Sequence, residues 1–321
     1  MYRFLARRLL QSVVVLAGLS VLMFTLLVLT PGDPVELLAS SLPDVQPEDV
    51  ARLRKYYGLD DPLFVRYVKW VRSLATGDLG YSRTYGQPVA TLIKQRLGNT
   101  LQLLSAAFVI AFTVGVTIGI FSALHQYSLG DYVATLFSFL WLAIPVFWFG
   151  IVSILIFSVW IRVLPAGGIM TPGVEPGMPF VIDRLRHLVL PTLVLATTGT
   201  ASWVRYSRSS MLEVVRQDFV RTARAKGLPE PVVTRRHALR NALIPIITLV
   251  ALAIPNILDG AVITETIFSW PGMGLLLFQA VLGHDYPVAM AVLLFLALAT
   301  VTANLMADVA YALVDPRIRY E

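Results

Sequence analysis

The sequence predicts an all-α membrane protein with six transmembrane helices and an external cap between the first and second of them. Three observations carry that expectation. Charged residues make up 14% of the 321, where a soluble domain has about a quarter. Hydrophobic residues make up 56%, and the mean hydropathy is +0.71. Apolar stretches long enough to cross about 30 Å of hydrocarbon as helices recur along the chain.

Residues 1–30 form an N-terminal tail and the first helix, since Leu9 to Leu29 contains no charge. Arg3, Arg7 and Arg8 precede it, as in a signal peptide. The apolar run is longer than the roughly 7–15 residues of a signal core, and TPGDP follows where a cleavage site would stand. A retained anchor is expected. Residues 31–98 are polar and mixed in charge, with a helix-like PEDVARLRKYYG and turns at Asp60-Asp61-Pro62 and Gly77-Asp78-Leu79-Gly80. Tyr56, Tyr57, Phe64, Tyr67 and Trp70 are too many aromatics for a disordered linker, which predicts a small folded cap.

Residues 99–313 hold the five remaining spans. The second is Thr100 to Leu124 and the third Val133 to Trp160, with Pro145 inside it. The fourth is Leu188 to Val204, the fifth Ala242 to Ile263 and the sixth Pro287 to Leu313. Pro145, Pro191 and Pro255 each remove a backbone donor, which predicts helices packed against protein and not lipid alone. Residues 205–241 interrupt this core as a loop segment, and 314–321 form a tail.

Loop charge orients the chain. Nine basic residues between Arg205 and Arg240 face only Glu213, Asp218 and Glu230, whereas Thr264 to Tyr286 reads as a loop without Lys or Arg. The positive-inside bias therefore places 205–241 and both termini in the cytoplasm and 31–98 outside; the cap's own nine basic residues do not count, because long loops escape the rule. A net charge of +6 raises nucleic acid as a partner, but 22 of 26 basic residues are Arg spread over many loops, as the bias alone would produce. The chain has no cysteine, which excludes disulfides, thiolate-bound metals and a cysteine nucleophile. No internal repeat is evident, which weighs against inverted-repeat transporters.

The densest positive charge lies in DFVRTARAKGLPEPVVTRRHALRNALIP, Asp218 to Pro245. Asp218 is placed to cap a helix of about two turns, Phe219 to Lys226. Gly227 suits the left-handed residue after it, and Pro229 prevents continuation. Arg221, Arg224 and Lys226 mark its polar face, while Thr222, Ala223 and Ala225 are small enough for another surface to approach. Such a helix is too short to stand alone in water. Three roles fit: a basic loop on anionic headgroups, a nucleic-acid contact, disfavoured because no aromatic platform interleaves with the charges, and a docking element for a cytoplasmic partner.

At these residues the sequence resembles a known family. Phe219-Val220-Arg221-Thr222-Ala223-Arg224-Ala225-Lys226-Gly227, followed by His237-Ala238-Leu239-Arg240-Asn241-Ala242-Leu243-Ile244-Pro245, is similar to the cytoplasmic "EAA" signature of ABC importer permease subunits. The likeness is to the dipeptide/oligopeptide/nickel branch and its dipeptide permease B-type subunits. Arg221-Thr222-Ala223 stands where the general signature has Glu-Ala-Ala, as is usual in that branch. Further landmarks resemble the family in order: Pro31-Gly32-Asp33-Pro34, Gly58 to Leu63, Gly77 to Gly80, Asn99-Thr100-Leu101, Ile144-Pro145-Val146-Phe147, Thr264 to Gly272, and Asp315-Pro316-Arg317-Ile318.

The resemblance implies the type I ABC importer permease fold in a bacterial or archaeal inner membrane. It implies as partners a second homologous permease subunit, two cytoplasmic ATPase subunits, an extracytoplasmic substrate-binding protein, membrane lipid and a peptide substrate, and no nucleic acid. Asp218, Phe219, Arg221, Thr222, Ala223, Arg224, Ala225, Lys226 and Gly227 would couple the chain to the ATPases. ATP and Mg would belong to those subunits, with no cofactor in this chain. Nickel complexes or glutathione are alternative cargoes; an intramembrane hydrolase or a channel is the reading from another class.

The residues agree that nucleotide chemistry lies elsewhere. A phosphate-binding loop needs Gly-Lys-Ser/Thr, and none of Lys55, Lys69, Lys94 and Lys226 follows a glycine. His125, His187, His237 and His284 are scattered, and no HExxH occurs. Thr248, Asn256 and Asp259 lie near one face of the fifth span. Asn256 and Asp259 are candidates for the translocation path, Asp259 favouring a cationic group such as a peptide N-terminus; an interhelical hydrogen bond or a water contact is the plainer role. Asn304 and Asp308 suggest helix packing. Glu265 and Trp270 are expected at the outer interface, Trp270 as a belt aromatic or a contact for the binding protein. Phe147, Trp148, Phe149 and Trp160 suggest packing and belt positions.

Overall fold

The computed structural model describes residues 2–29, 46–56 and 60–314. The described residues are helical almost throughout, because in lipid only helices and closed barrels satisfy every backbone donor and acceptor. Helix α1 spans Tyr2–Leu29, α2 Pro47–Tyr56 and α3 Leu63–Ala75. A two-stranded hairpin follows, pairing Tyr81 with Pro88 and Ser82 with Gln87. The membrane core comprises α4, Val89–Leu124; α5, Leu129–Ala143; α6, Val146–Ile154, continued by a π-helical turn over Leu155–Trp160; and α7, Met178–Val215. Then come α8, Asp218–Ala225, and α9, Glu230–Val232. A π-helical stretch, Val233–Leu239, leads into α10, Arg240–Ile267. Helices α11, Met273–Leu282, and α12, Tyr286–Val314, complete the described chain.

Three described helices are long and apolar enough to cross a membrane: residues Ala6–Leu26 of α1, Val89–Leu124 and Tyr286–Val309. A fourth span results if α5 and α6 are taken together. The expected third span is not one continuous helix. It breaks at Ile144-Pro145 and bends by 99°. Pro145 has no amide to give to the helix, and its ring pushes Ile144 into the extended conformation, φ −80° and ψ 125°. The fourth and fifth apolar segments lie within α7 and α10. Pro191 stays inside α7 without ending it.

The core centres on the α4–α7 pair, the most extensively packed in the molecule. Gly115 and Gly119, one turn apart on α4, permit this approach. A Cβ on Gly115 would lie 2.5 Å from the Cβ of Trp203 and 2.9 Å from the Thr200 carbonyl. One on Gly119 would lie 2.5 Å from the Val204 carbonyl and 2.8 Å from the Ser207 Cβ. Beside them, Phe112 meets Trp203 edge to face at 5.2 Å between ring centres. Helix α12 packs on α10 and α1, and Arg8 of α1 pairs with Asp308 of α12 at 3.1 Å. Asp308 thus takes the expected packing role; Asn304 is exposed. Phe149 stacks edge to face on Trp141 at 4.4 Å, whereas Phe147, Trp148 and Trp160 are exposed.

The hairpin is pinned to the α11–α12 turn. Buried Asp285 accepts the Ser82 hydroxyl at 2.5 Å and the Thr84 amide at 3.0 Å. Tyr85 donates its hydroxyl to Gln279 at 2.6 Å. The start of α4, α11 and the start of α12 close beneath it around Leu92, Met273, Leu276 and Val292.

Candidate functional site

The basic segment folds as two short helices joined by a tight turn. Gln217, extended at φ −73° and ψ 149°, holds the capping position of α8, and its carbonyl takes the amides of Val220 and Arg221. Asp218 is therefore not the cap. It is the first helical residue, almost wholly exposed, where its charge favours the positive helix end, and it lies 3.5 Å from Arg221. The helix ends at Ala225, with Lys226 as its C-cap. Gly227 follows at φ +76°, in the left-handed conformation that glycine adopts without cost. Pro229 stops the helix and also caps the next one, α9.

Across this turn Arg224 grips Glu230 with both forks of its guanidinium, at 2.7 and 3.1 Å. The pair holds the Glu230 carboxyl below the usual carboxylate range. Because both partners are exposed, the pair sets geometry more than it adds stability.

One face of α8 is buried against its own chain. Val220 and Ala223 pack with Met211 of α7, Val233 and Ala238 of the π-helical stretch, Ala242 of α10 and Ala123 at the end of α4. Ala223, expected on the approachable surface, is thus turned inward, because the i, i+3 spacing from Val220 puts it on the anchored stripe. Phe219, Arg221, Thr222, Arg224, Ala225 and Lys226 are exposed. A short helix is held by the ends of three long ones and presents outward a face that carries three cations, Arg221, Arg224 and Lys226. Ser210 adds a hydrogen bond to the Ala242 carbonyl at 2.8 Å, tying α7 to α10 at the same level.

An ion pair between buried Asp131 and half-buried Arg208 lies beside this platform. Asp131, capped into α5 by Ser128, takes Arg208 of α7 at 2.6 and 2.9 Å, the Tyr127 amide at 3.0 Å and the Ser122 hydroxyl. It links the α4–α5 turn to the helix that leads into α8.

At the opposite end of the core, the segment from Thr264 to Tyr286 is not a loop. It contains the end of α10 and all of α11. Glu265 is fully buried and accepts the amides of Gly274 and Leu275 at 2.6 and 3.1 Å and the Thr100 hydroxyl at 2.7 Å. It therefore caps α11 with a carboxylate, the charge a helix N-terminus favours. Gly272 makes room for it, since a Cβ there would strike the carboxylate. Trp270 is no belt aromatic and offers no surface to a partner. It is completely buried against Leu103 and Leu188, and its indole donates to the Asn99 carbonyl at 3.0 Å. Arg184 of α7 bonds Asn99 and Gln102 at 2.9 and 2.8 Å. Asn256 and Asp259, the candidate path residues, lie on the helical backbone of α10, but their side chains fall outside the described residues, as does that of Thr248.

The family profile of the binding-protein-dependent transport system inner membrane component matches residues 115–320. The chain belongs to this family. A second profile, the N-terminal membrane component of the same systems, matches residues 1–104 of this inner membrane component. The oligopeptide transport system permease protein AppB of Bacillus subtilis is 43% identical over 321 residues, covering 100% of both chains. The di/tripeptide permease DppB of Pseudomonas aeruginosa is 40% identical over 336 residues, and the dipeptide permease DppB of Escherichia coli 36% over 339, again with 100% of each chain. The resemblance read from the sequence is therefore correct.

Sequence reasoning missed two of the polar ties that position this permease's helices. Ser128-x-x-Asp131 is a capping-box pattern, so Asp131 was detectable, but its partner Arg208 lies 77 residues away and only the fold joins them. Gly115-x-x-x-Gly119 is likewise a legible helix-contact motif. Nothing local marks Glu265 as a cap for a helix that begins eight residues later.

Proposed function

We propose that this chain is one of two permease subunits of an ATP-driven importer of di- and oligopeptides, with nickel complexes or glutathione as the other cargoes its branch would admit. Six spans, cytoplasmic termini and an external 31–98 region complete the reading, and the loop charge asymmetry supports them. The observation that carries the mechanism is the seating of α8. Its inner face is packed on the ends of α4, α7 and α10, so a force applied to its outer face reaches three long helices at once. Asp218, Phe219, Arg221, Thr222, Arg224, Ala225 and Lys226 would meet a cytoplasmic ATPase, while Ala223 and Gly227 would hold the helix in shape. ATP and Mg would be bound there and not by this chain. Closure of the ATPases would then swing the bundle as rigid bodies around the path. Asn256 and Asp259 would face that path, Asp259 attracting the peptide N-terminus.

The test is uptake of labelled di- and oligopeptides by proteoliposomes holding the chain with its companion permease, ATPases and binding protein. ATP-dependent uptake that requires the binding protein is expected; ATP-independent flux would refute the importer reading. The absence of cysteine lets Asp61→Cys and Arg235→Cys report topology, with an impermeant thiol reagent labelling only the former from outside.

A further inference from the structure

Helix α3, LFVRYVKWVRSLA, has no buried residue and carries three basic side chains and no acidic one. Three faces follow from its helical spacing. Tyr67 and Trp70 point at α1, with ring centres 5.5 and 5.9 Å from that of Phe24, and Tyr67 shares a 2.8 Å hydrogen bond with Ser20. Phe64, Val68 and Val71 form a second, exposed apolar face, with Phe64 77% accessible. Arg66, Lys69 and Arg72 form the third. Lys69 is paired with Asp61 at 2.5 Å, but Arg66 and Arg72 have no ion pair among the described residues.

We infer that α3 is an interfacial anchor. It lays Phe64, Val68 and Val71 among the acyl chains of the leaflet at the C-terminal end of α1 and turns its cations to the phosphates of anionic headgroups. Position argues for lipid over a soluble partner. Ser20 and Phe24 lie nine and five residues before the end of α1, roughly 8 to 14 Å short of it along the helix. Amphipathic helices bury their apolar faces about 5–10 Å into the headgroup boundary, so the contact with α1 fixes α3 near that depth. Charge agrees, because each cation near an anionic surface adds to the attraction. In the topology proposed above, this leaflet is the outer one.

The test uses the full-length chain in nanodiscs, with one cysteine introduced at a time: Phe64→Cys, Val68→Cys, Lys69→Cys, and Leu22→Cys as a reference inside the bilayer. Each carries a nitroxide, and its collisions with oxygen and with a water-soluble nickel chelate are compared. In phosphatidylglycerol-containing discs the oxygen-to-nickel ratio at 64 and 68 is expected to be several-fold that at 69 and to approach that at 22. Purely phosphatidylcholine discs, or Arg66→Gln with Arg72→Gln, should lower the ratio at 64. Equal nickel access at 64, 68 and 69 would overturn the anchor. So would shielding at 64 that appears only when the binding protein is added. Insertion indifferent to both lipid charge and the paired substitutions would overturn the headgroup contact.

Discussion

Gly227 offers the cleanest perturbation of the proposed coupling segment. It sits at φ +76° with nothing within 4 Å of where a Cβ would stand. A substitution there therefore meets backbone strain and no clash. For an ordinary L-residue the left-handed conformation costs roughly 1–2 kcal/mol, and a β-branched residue is an outlier there. A cost of that size lowers the ratio of correctly turned to rearranged segment by a factor of about 5–30. Asparagine, which tolerates the left-handed region, should lose least, alanine more and valine most. The expected signature is uptake per ATP hydrolysed in the reconstituted transporter, falling in the order Gly, Asn, Ala, Val, while the spans still insert and the protein purifies in normal yield. The rearranged turn would part Arg224 from Glu230 and misdirect the outer face of α8. If valine transported as well as asparagine, the turn would not set the docking geometry. If all three failed equally, a direct clash of any side chain with the partner would be the cause, and the strain argument would be wrong.

Other residues give independent tests. Glu265→Leu leaves the buried amides of Gly274 and Leu275 without an acceptor, at about 1–3 kcal/mol each. Its melting temperature in detergent should fall well below that of Glu265→Gln, which keeps one acceptor. Arg208→Met strands buried Asp131 and should cost about 3 kcal/mol; adding Asp131→Leu should recover much of it, which a double-mutant cycle by thermal unfolding would reveal. Gly119→Val forces α4 from the Val204 carbonyl and should destabilise more than the 1–3 kcal/mol usual for overpacking, read as loss of folded protein on size exclusion. The Glu230 carboxyl is held low by Arg224, so its contribution is full above the ordinary carboxylate range. It is lost as pH falls through the lowered folded-state value, and amide protection around residues 224–230, taken relative to the intrinsic exchange rate, should fall only at that acid end.

The sequence made the membrane class legible because hydropathy is a sum over many residues and tolerates local exceptions. It made Gly227 and Pro229 legible because each constrains its own backbone. What it hid depends on distant partners. Ala223 looked like a docking surface because smallness is compatible with both faces of a helix; only the position of Met211 and Ala242 decides that it packs inward. Trp270 looked like a belt residue because an aromatic beside Pro271-Gly272 is common at an interface, yet the fold buries it against Leu103 of α4 and Leu188 of α7. The break at Pro145 was visible as a proline, but its 99° bend follows from Ile144 turning extended, which an apolar run does not announce. Helix α11 was hidden for the opposite reason: ten residues cannot span a bilayer, and Glu265 supplies the cap from another helix.

The arrangement of rigid and adjustable contacts limits what the bundle can do when α8 is moved. Helices α4 and α7 meet through Gly115 and Gly119 with almost no clearance, so neither can slide past the other without a backbone collision. Asp131 and Arg208 tie the α4–α5 turn to α7, and Ser210 ties α7 to α10. At the far end, Glu265 ties α10 to α4 through the Thr100 hydroxyl, and Arg184 ties α7 to α4 through Asn99. A force on α8 is thus shared among helices clamped at both ends, and packed interiors yield as blocks and not by continuous deformation. The place the clamps leave out is the bend at Ile144-Pro145, because the segment between Trp160 and Met178 is itself tied to α7 through Thr171 and Asp183 at 2.7 Å and to the Phe268 carbonyl through the Gly168 amide at 2.8 Å. Motion transmitted from the proposed coupling segment should therefore appear as rotation of α4, α7 and α10 together, with the angle between α5 and α6 taking up the difference.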